Sequence, residues 1–342
     1  MSLSGCSGLG GLPIGTLCAH ERGTRTPEVD AQTDMTALIC GLFGDGAAPR
    51  SEDNHAILHD LPLGWPVRDQ GRVRGTCVAF AALSAFELYR YWHGVAVQAE
   101  DLSEERLYKA MREDFDIRDR VTGTDPAALA LIEAYERYGA SLLWQAGSAL
   151  DAMGAAAEAD APYVWDAFQP AFHVKEPMTD TFVAKQGEGL RHYAFEMPDP
   201  EDRPPFLSAA VRYLLSRKVP VCLSFPVLRQ RGDSHVWAFG PGWDTGIISD
   251  PDLVGAPLED GQPQNLGGHS VCVVGYVPDE GTQEGWFLFR NSWGTRFGAA
   301  SDFVPGQGGA HPVSPPRGYG LISSAHVDTH GWEMMFIGPK RP

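Results

Sequence analysis

From Cys77 the chain reads CVAFAALSAFELYRYW, and no glycine or proline interrupts it before Gly94. A run this apolar and this long without a breaker predicts a largely buried helix, around which the remaining elements must pack. The preceding segment is its opposite. Residues 62–76, PLGWPVRDQGRVRGT, are punctuated by Pro, Gly and Asp and read as turns. Thr76 stands where an N-cap belongs, immediately before Cys77.

Downstream, DLSEERLYKAMRED suits a short amphipathic helix with Leu102, Leu107 and Met111 on one face. A third helix is expected from Pro126 to Tyr138, opened by proline and stopped by Gly139. Residues 151–203 carry eleven acidic and four basic side chains with Ala and Pro clusters, which reads as an inserted surface subregion. FLSAAVRYLLSRK then predicts a helix and VPVCLSFPV a strand. GGHSVCVVGYV and EGWFLFRNS predict two more strands. A Gly/Pro-rich loop at 299–317 leads to GYGLISSAHV as a final strand. Helices come first and strands second, an α+β layout with a helical half and a β half. The expected division is a flexible extension or short prosegment over 1–56 and one domain over 57–338. Within it, a helical lobe spans about 66–150, the acidic insert 151–203 and a β lobe about 204–338.

Composition narrows the function classes. Residues 1–56 hold seven acidic and three basic side chains, which favours solvation over burial. The whole chain has 43% hydrophobic residues, enough for a core, and a formal charge of −17 with no basic stripe, which argues against a nucleic-acid partner. The six cysteines, Cys6, Cys18, Cys40, Cys77, Cys222 and Cys272, show no CxxC or zinc spacing. Cys222 and Cys272 sit in apolar runs and read as buried small hydrophobes. No stretch is apolar for long enough to span a bilayer, and the N-terminus lacks a basic n-region and a clear apolar core. The expectation is a cytoplasmic protein with no membrane partner. Oligomeric state is not readable.

Cys77 opens a helix, where backbone N–H groups and the helix dipole favour a negative charge, so its thiolate is expected to form readily. His269 stands at the mouth of an apolar strand behind Gly267 and Gly268. Asn291 ends the next strand and could hold the imidazole in one orientation. Gln70, seven residues before Cys77, could donate to a developing oxyanion together with the Cys77 N–H. Singly, each has an ordinary reading: a packed thiol, a strand histidine, a turn asparagine. The combination, in this order, points to nucleophilic thiol chemistry.

The segments PVRDQGRVRGTCVAFAALSAFE, GGHSVCVVGY, WFLFRNSWGTRFG and GYGLISS resemble the nucleophile, histidine, Asn-Ser-Trp-Gly and closing strands of papain-like cysteine peptidases. GTDPAALALIEAYERYG and FLSAAVRYLLSRKVPVCLSFPV resemble further parts of that family, so the likeness spans roughly 61–330 with gaps. It implies a two-lobed fold, with a helical lobe carrying the nucleophile and an antiparallel, barrel-like β lobe carrying His and Asn, and a substrate cleft between them. It implies that Cys77 attacks a scissile carbonyl as the ion-pair partner of His269, that Asn291 orients His269, and that Gln70 completes the oxyanion hole. Trp293 would shield the Asn291–His269 contact. Gly123 would pair with an extended substrate, and Gly268 would line the pocket for the side chain two residues before the cut. The expected substrate is a polypeptide or peptide, with no cofactor and no metal expected.

Four departures accompany the resemblance. The Gln70–Cys77 spacing is one residue longer than the family's, the extra residue lying in Arg72-Val73-Arg74. The family's disulfide-forming cysteine in that loop is missing. Only Gly123 remains of a glycine pair, and nothing before residue 57 resembles the family's long helical prosegment. Transfer of the acyl group to an amine, giving a ligase, cyclase or transamidase, is the alternative reaction, and an inactive peptide-binding module the alternative use. Other motifs carry little: Arg231-Gly232-Asp233 reads as chance, and Gly5–Gly11 lacks the Lys-Ser/Thr of a phosphate loop. His326 and His330 fall in a tail that reads as strand and turn, where their spacing of four would not converge on a metal.

Overall fold

The computed structural model describes residues 56–71, 74–119, 139–164, 189–196, 207–228, 241–248, 265–279, 285–299 and 316–340, together with Trp237 and the single positions 39, 42–43, 129, 132–133 and 135–136. Gly123, most of the helix expected over 126–138 and the loop 299–317 lie outside the described residues, apart from their ends and the single positions named.

The described elements run β1 (Ile57–Leu58), α1 (Cys77–Trp92), α2 (Glu104–Glu113), α3 (Leu143–Met153), β2 (Leu190–Glu196), α4 (Leu207–Ser216) and β3 (Val221–Leu228). They continue with α5 (Pro241–Thr245), β4 (Ile247–Ile248), β5 (Asn265–Pro278), β6 (Gly285–Arg290), β7 (Tyr319–Ser323), α6 (Ser324–His330) and β8 (Glu333–Pro339). All of α1 except Tyr91 is buried, as its unbroken apolar text requires. Its two inward charges are satisfied. Glu87 accepts from Trp65 Nε1 at 2.6 Å and from Leu102 N at 2.9 Å, and Arg90 Nε donates to Glu100 at 2.6 Å.

The strands form one sheet in the order β2-β8-β3-β5-β6-β7-β4, with β1 pairing β5 beyond the end of β3. All pairings are antiparallel except β4 with β7. The barrel expected for the β half is not what the described strands make: the path is open, with β2 and β4 at its ends. One face of the sheet meets α1, where Cys222 Sγ donates to the Ala81 carbonyl at 3.3 Å.

Two segments differ from the sequence reading. The span 151–203 contains the end of α3 and the whole edge strand β2, which pairs with β8 over Leu190–Glu196. Gly147 in mid-α3 makes this possible, because a Cβ there would sit 3.0 Å from His192 Cβ. The expected last strand stops at Ser323, whose hydroxyl accepts from His326 N and caps α6. His326 and His330 are therefore on a helix, with ring centroids 4.7 Å apart. Among the described residues no cluster of three or more His, Cys, Asp or Glu is arranged to hold a metal. No helix among them is long and apolar enough to cross a membrane.

Candidate active site

Cys77 is the first residue of α1, with Thr76 at the cap position. The Thr76 side chain does not cap the helix; its hydroxyl meets Tyr163 Oη at 2.8 Å instead. Tyr163 also donates to the Gln70 carbonyl at 2.9 Å, so one phenol ties both ends of the turn from Gln70 to Cys77. Arg74, in the lengthened part of that turn, is buried, makes a two-pronged ion pair with Glu105, and lies 5.0 Å from the Tyr163 ring centre. A loop with an extra residue is thus held by a phenol and a buried ion pair.

His269 and Asn291 are brought together by neighbouring strands. His269 lies on β5, and Asn291 immediately follows β6. Asn291 Oδ1 accepts from Ser292 N at 2.8 Å, which identifies it as the oxygen. The 2.7 Å contact from His269 Nε2 to the same atom therefore places the ring hydrogen on Nε2. That leaves Nδ1 as the basic lone pair of the neutral ring, and it has no hydrogen-bond partner among the described residues. Trp293 stacks on the imidazole with centroids 4.2 Å apart, and Trp237 meets it edge-on at 5.5 Å. Trp237, fully buried, had no signal in the sequence beyond being one aromatic among many.

Gln70 is docked against the same turn. Gln70 N donates to Ser292 O at 2.8 Å, Gly294 N to Arg68 O at 3.0 Å, and Ser292 Oγ to Gln70 Oε1 at 2.5 Å. Its amide nitrogen donates to Arg74 O at 3.2 Å. Beneath lie Arg68, paired with Glu87 and Glu104, and Arg290, whose guanidinium sits 3.8 Å from the Trp65 ring centre.

The sulfur and the imidazole are not hydrogen-bonded to each other. Ser270, the residue after His269, lines the same small cavity as Cys77. The open groove expected at this point is closed: Cys77 is 5% exposed and His269 1%. Burial governs both protonation states. It pushes the Cys77 thiol up, with hydrogen bonds from Ser270, Val78 and its own N–H offsetting part of the rise. It pulls His269 down to about 4 against the opposing bond to Asn291. Loss of hydration thus opposes the thiolate expected at a helix start and favours the neutral form of both groups.

A cavity of about 10 Å³ adjoins the sulfur, lined by Gly75, Cys77, Ala140, Ser141, Gly268, Ser270 and Trp332. Ser141 Oγ and Trp332 Nε1 are buried there without a hydrogen-bond partner among the described residues.

No known family profile matches the sequence and no curated protein matches it. Among solved structures, the chain is similar to xylellain, a cysteine protease from Xylella fastidiosa, with 17% identity, coverage of 84% of this chain and 86% of that one, and a TM-score of 0.50. It is also similar to procathepsin B from Trypanosoma congolense, with 15% identity, coverage of 100% and 90%, and a TM-score of 0.50. At these identities the likeness is one of fold.

Proposed function

We propose that this chain, which has a papain-like fold, is a cysteine peptidase with Cys77 as nucleophile and His269 as base. The observation that carries this reading is the 2.7 Å bond from His269 Nε2 to Asn291 Oδ1, which leaves Nδ1 as the basic nitrogen of a residue whose two neighbours, Gly268 and Ser270, line one cavity with Cys77.

In this reading His269 Nδ1 takes the thiol proton, the thiolate attacks the carbonyl carbon, and the imidazolium then protonates the leaving amine. The oxyanion receives hydrogen bonds from the Cys77 N–H and the Gln70 amide. Asn291 orients the His269 ring, and Trp293 keeps water from their bond. Because the resting site is closed, substrate entry includes an opening that brings Sγ and Nδ1 together. Gly268 lines the cavity beside Cys77, where Ser141 and Trp332 offer polar atoms to a substrate side chain or carbonyl. Gly123 is carried in this proposal as a backbone partner for an extended peptide, and residues 57–338 as one catalytic domain.

The test is cleavage of a mixed peptide library by the wild-type chain and by Cys77→Ala in parallel. Cleavage should vanish in the variant; wild-type rates from Cys77→Ala would end the proposal. The burial of Cys77 also favours a second reading, acyl transfer to an amine, since exclusion of water protects a thioester from hydrolysis. Product mass separates the two: hydrolysis adds water and transfer joins two chains.

A further inference from the structure

Cys222 on β3 and Cys272 on β5 are register partners across an antiparallel pair. Both are free thiols and both are wholly buried. Directly opposed residues of such a pair have Cα atoms about 4.5–5.5 Å apart, inside the window that a disulfide spans. Their side chains leave the sheet on the same face. That face is the one meeting α1, where Cys222 Sγ donates to the Ala81 carbonyl at 3.3 Å. The next register pair on this face shows how near opposed side chains come: the Oγ atoms of Ser224 and Ser270 are 2.8 Å apart. Sγ stands on cysteine where Oγ stands on serine, so the same backbone spacing lets the two sulfurs meet once Cys222 turns from Ala81.

The sheet around the pair holds that spacing. Met335 on β8 flanks Cys222 and Arg290 on β6 flanks Cys272, so the two cysteines sit on central strands and not at an edge. β3 and β5 stay in unbroken register from Val221–Val273 to Pro226–Gly268. Cys77, the other free thiol among the described residues, opens α1 and lies on neither strand.

We propose that Cys222 and Cys272 are a redox pair that closes into a cross-strand disulfide when the chain folds in the presence of a low-molecular-weight disulfide such as oxidised glutathione. One cysteine thiolate attacks a glutathione sulfur and releases the other half as a thiol. The second cysteine thiolate then attacks the protein sulfur of the mixed disulfide and releases the remaining glutathione. Two cysteine S–H bonds are lost and one protein S–S bond forms, and the two electrons and two protons leave on two molecules of reduced glutathione. Burial pushes the Cys222 thiol well above its ordinary value, and the neighbouring Cys272 adds to the rise, so exchange belongs to the stage at which the strands pair and not to the closed core. In reducing surroundings the pair remains two packed thiols. The inference stands on strand register and goes beyond the peptidase reading, because it holds whether or not Cys77 attacks a peptide. The closed bridge fastens β5, the strand that carries His269, to β3.

The experiment refolds the reduced, urea-unfolded full chain in a buffer of mostly oxidised glutathione, blocks the remaining thiols with iodoacetamide, and maps the cysteines by mass spectrometry without reduction. The expected product joins the Cys222 peptide to the Cys272 peptide, lighter by two hydrogens than the two thiol peptides together, and reduction separates them. The bridged chain should melt about 5–10 °C above the same chain refolded in reduced glutathione, because the bridge restricts the unfolded state, and Cys222→Ala should abolish that difference. In the same oxidising buffer at denaturing urea, the yield of this pairing should fall by about tenfold or more, because the strands no longer hold the sulfurs opposite each other. Alkylation of both cysteines after oxidative refolding overturns the proposal, and so does a bridge from either of them to another cysteine. An equal yield in urea also overturns it, since register would then play no part. Should the unfolded chain aggregate on refolding, the same map of the chain exported to the bacterial periplasm decides the matter: a Cys222–Cys272 bridge supports the pair, and two free thiols overturn it.

Discussion

Trp293 lies against the face of His269, ring planes 27° apart and centroids 4.2 Å apart, and Nε2 of that imidazole meets Asn291 Oδ1 at 2.7 Å. In the proposed site the indole keeps water from that hydrogen bond, which fixes the imidazole tautomer. Trp293→Ala is expected to lower kcat/KM for peptide cleavage by about 10- to 100-fold, with most of the loss in kcat, because geometry and not substrate contact is lost. Asn291→Ala should act in the same direction and should not add fully to Trp293→Ala, since both act on one ring. Full additivity in a double-mutant comparison would place Trp293 in an independent role.

The His269 ring makes stability depend on pH with a defined sign. The unfolded chain takes up the imidazole proton near the ordinary value of 6.5, whereas the folded chain resists until about 4. Between those values the unfolded state holds more protons, so stability should fall as pH drops from about 6.5 towards 4 and be fully present above that window. A shift of this size corresponds to about 3 kcal/mol at its limit. Urea midpoints measured at neutral and mildly acidic pH should converge for His269→Gln relative to wild type. Equal acid sensitivity in both chains would contradict the burial of a neutral ring.

Tyr163 touches the Gln70 carbonyl and the Thr76 hydroxyl with one oxygen. Tyr163→Phe should cost about 1–2 kcal/mol of stability and reduce kcat by roughly tenfold, while leaving KM nearly unchanged. Steady-state kinetics beside thermal melting separates the two effects. A variant that melts early but keeps wild-type kcat would show that the turn needs no such clamp.

Gly294 has a φ of +68°, and a Cβ there would sit 2.8 Å from Asp69 Oδ2. Both facts oppose any side chain at the residue whose N–H bonds Arg68 O. Gly294→Ala is expected to destabilise by about 1–3 kcal/mol through left-handed strain and the clash. It should also weaken activity by displacing Gln70. Denaturant unfolding and activity assays on the same preparation check the pair of outcomes.

What the sequence revealed was local. Gly75-Thr76-Cys77 at a helix start, Gly-Gly-His within a strand, ahead of its apolar run, and Asn-Ser-Trp-Gly after a strand each announce themselves within a few residues, and the long apolar helix is visible from its lack of breakers. Tyr163 was hidden because its neighbourhood was averaged into an acidic stretch, although Ala155, Ala156 and Ala161 beside it are buried. The helix Ser324–His330 reads as more strand because its apolar residues continue the pattern of β7, while Ser323 as a cap is the weaker signal. The contacts of Ser224 on β3 with Ser270 on β5 and Glu333 on β8 depend on the register of three strands, which no single segment encodes. The burial that pushes the Cys77 thiol up is hidden for a related reason: the helix end is written in the chain, but burial is a sum over the whole fold.

The bonds joining Arg68 and Gln70 to Ser292 and Gly294 lace a helical-half loop to a β-half turn at one rim of the site. A hinge laced at one rim can swing only from the other. In the proposed peptidase, admission of a peptide would fall to the wall that Ala140, Ser141 and Trp332 contribute to the cavity beside Cys77, and a cross-link there would bolt the door while leaving every reacting group intact.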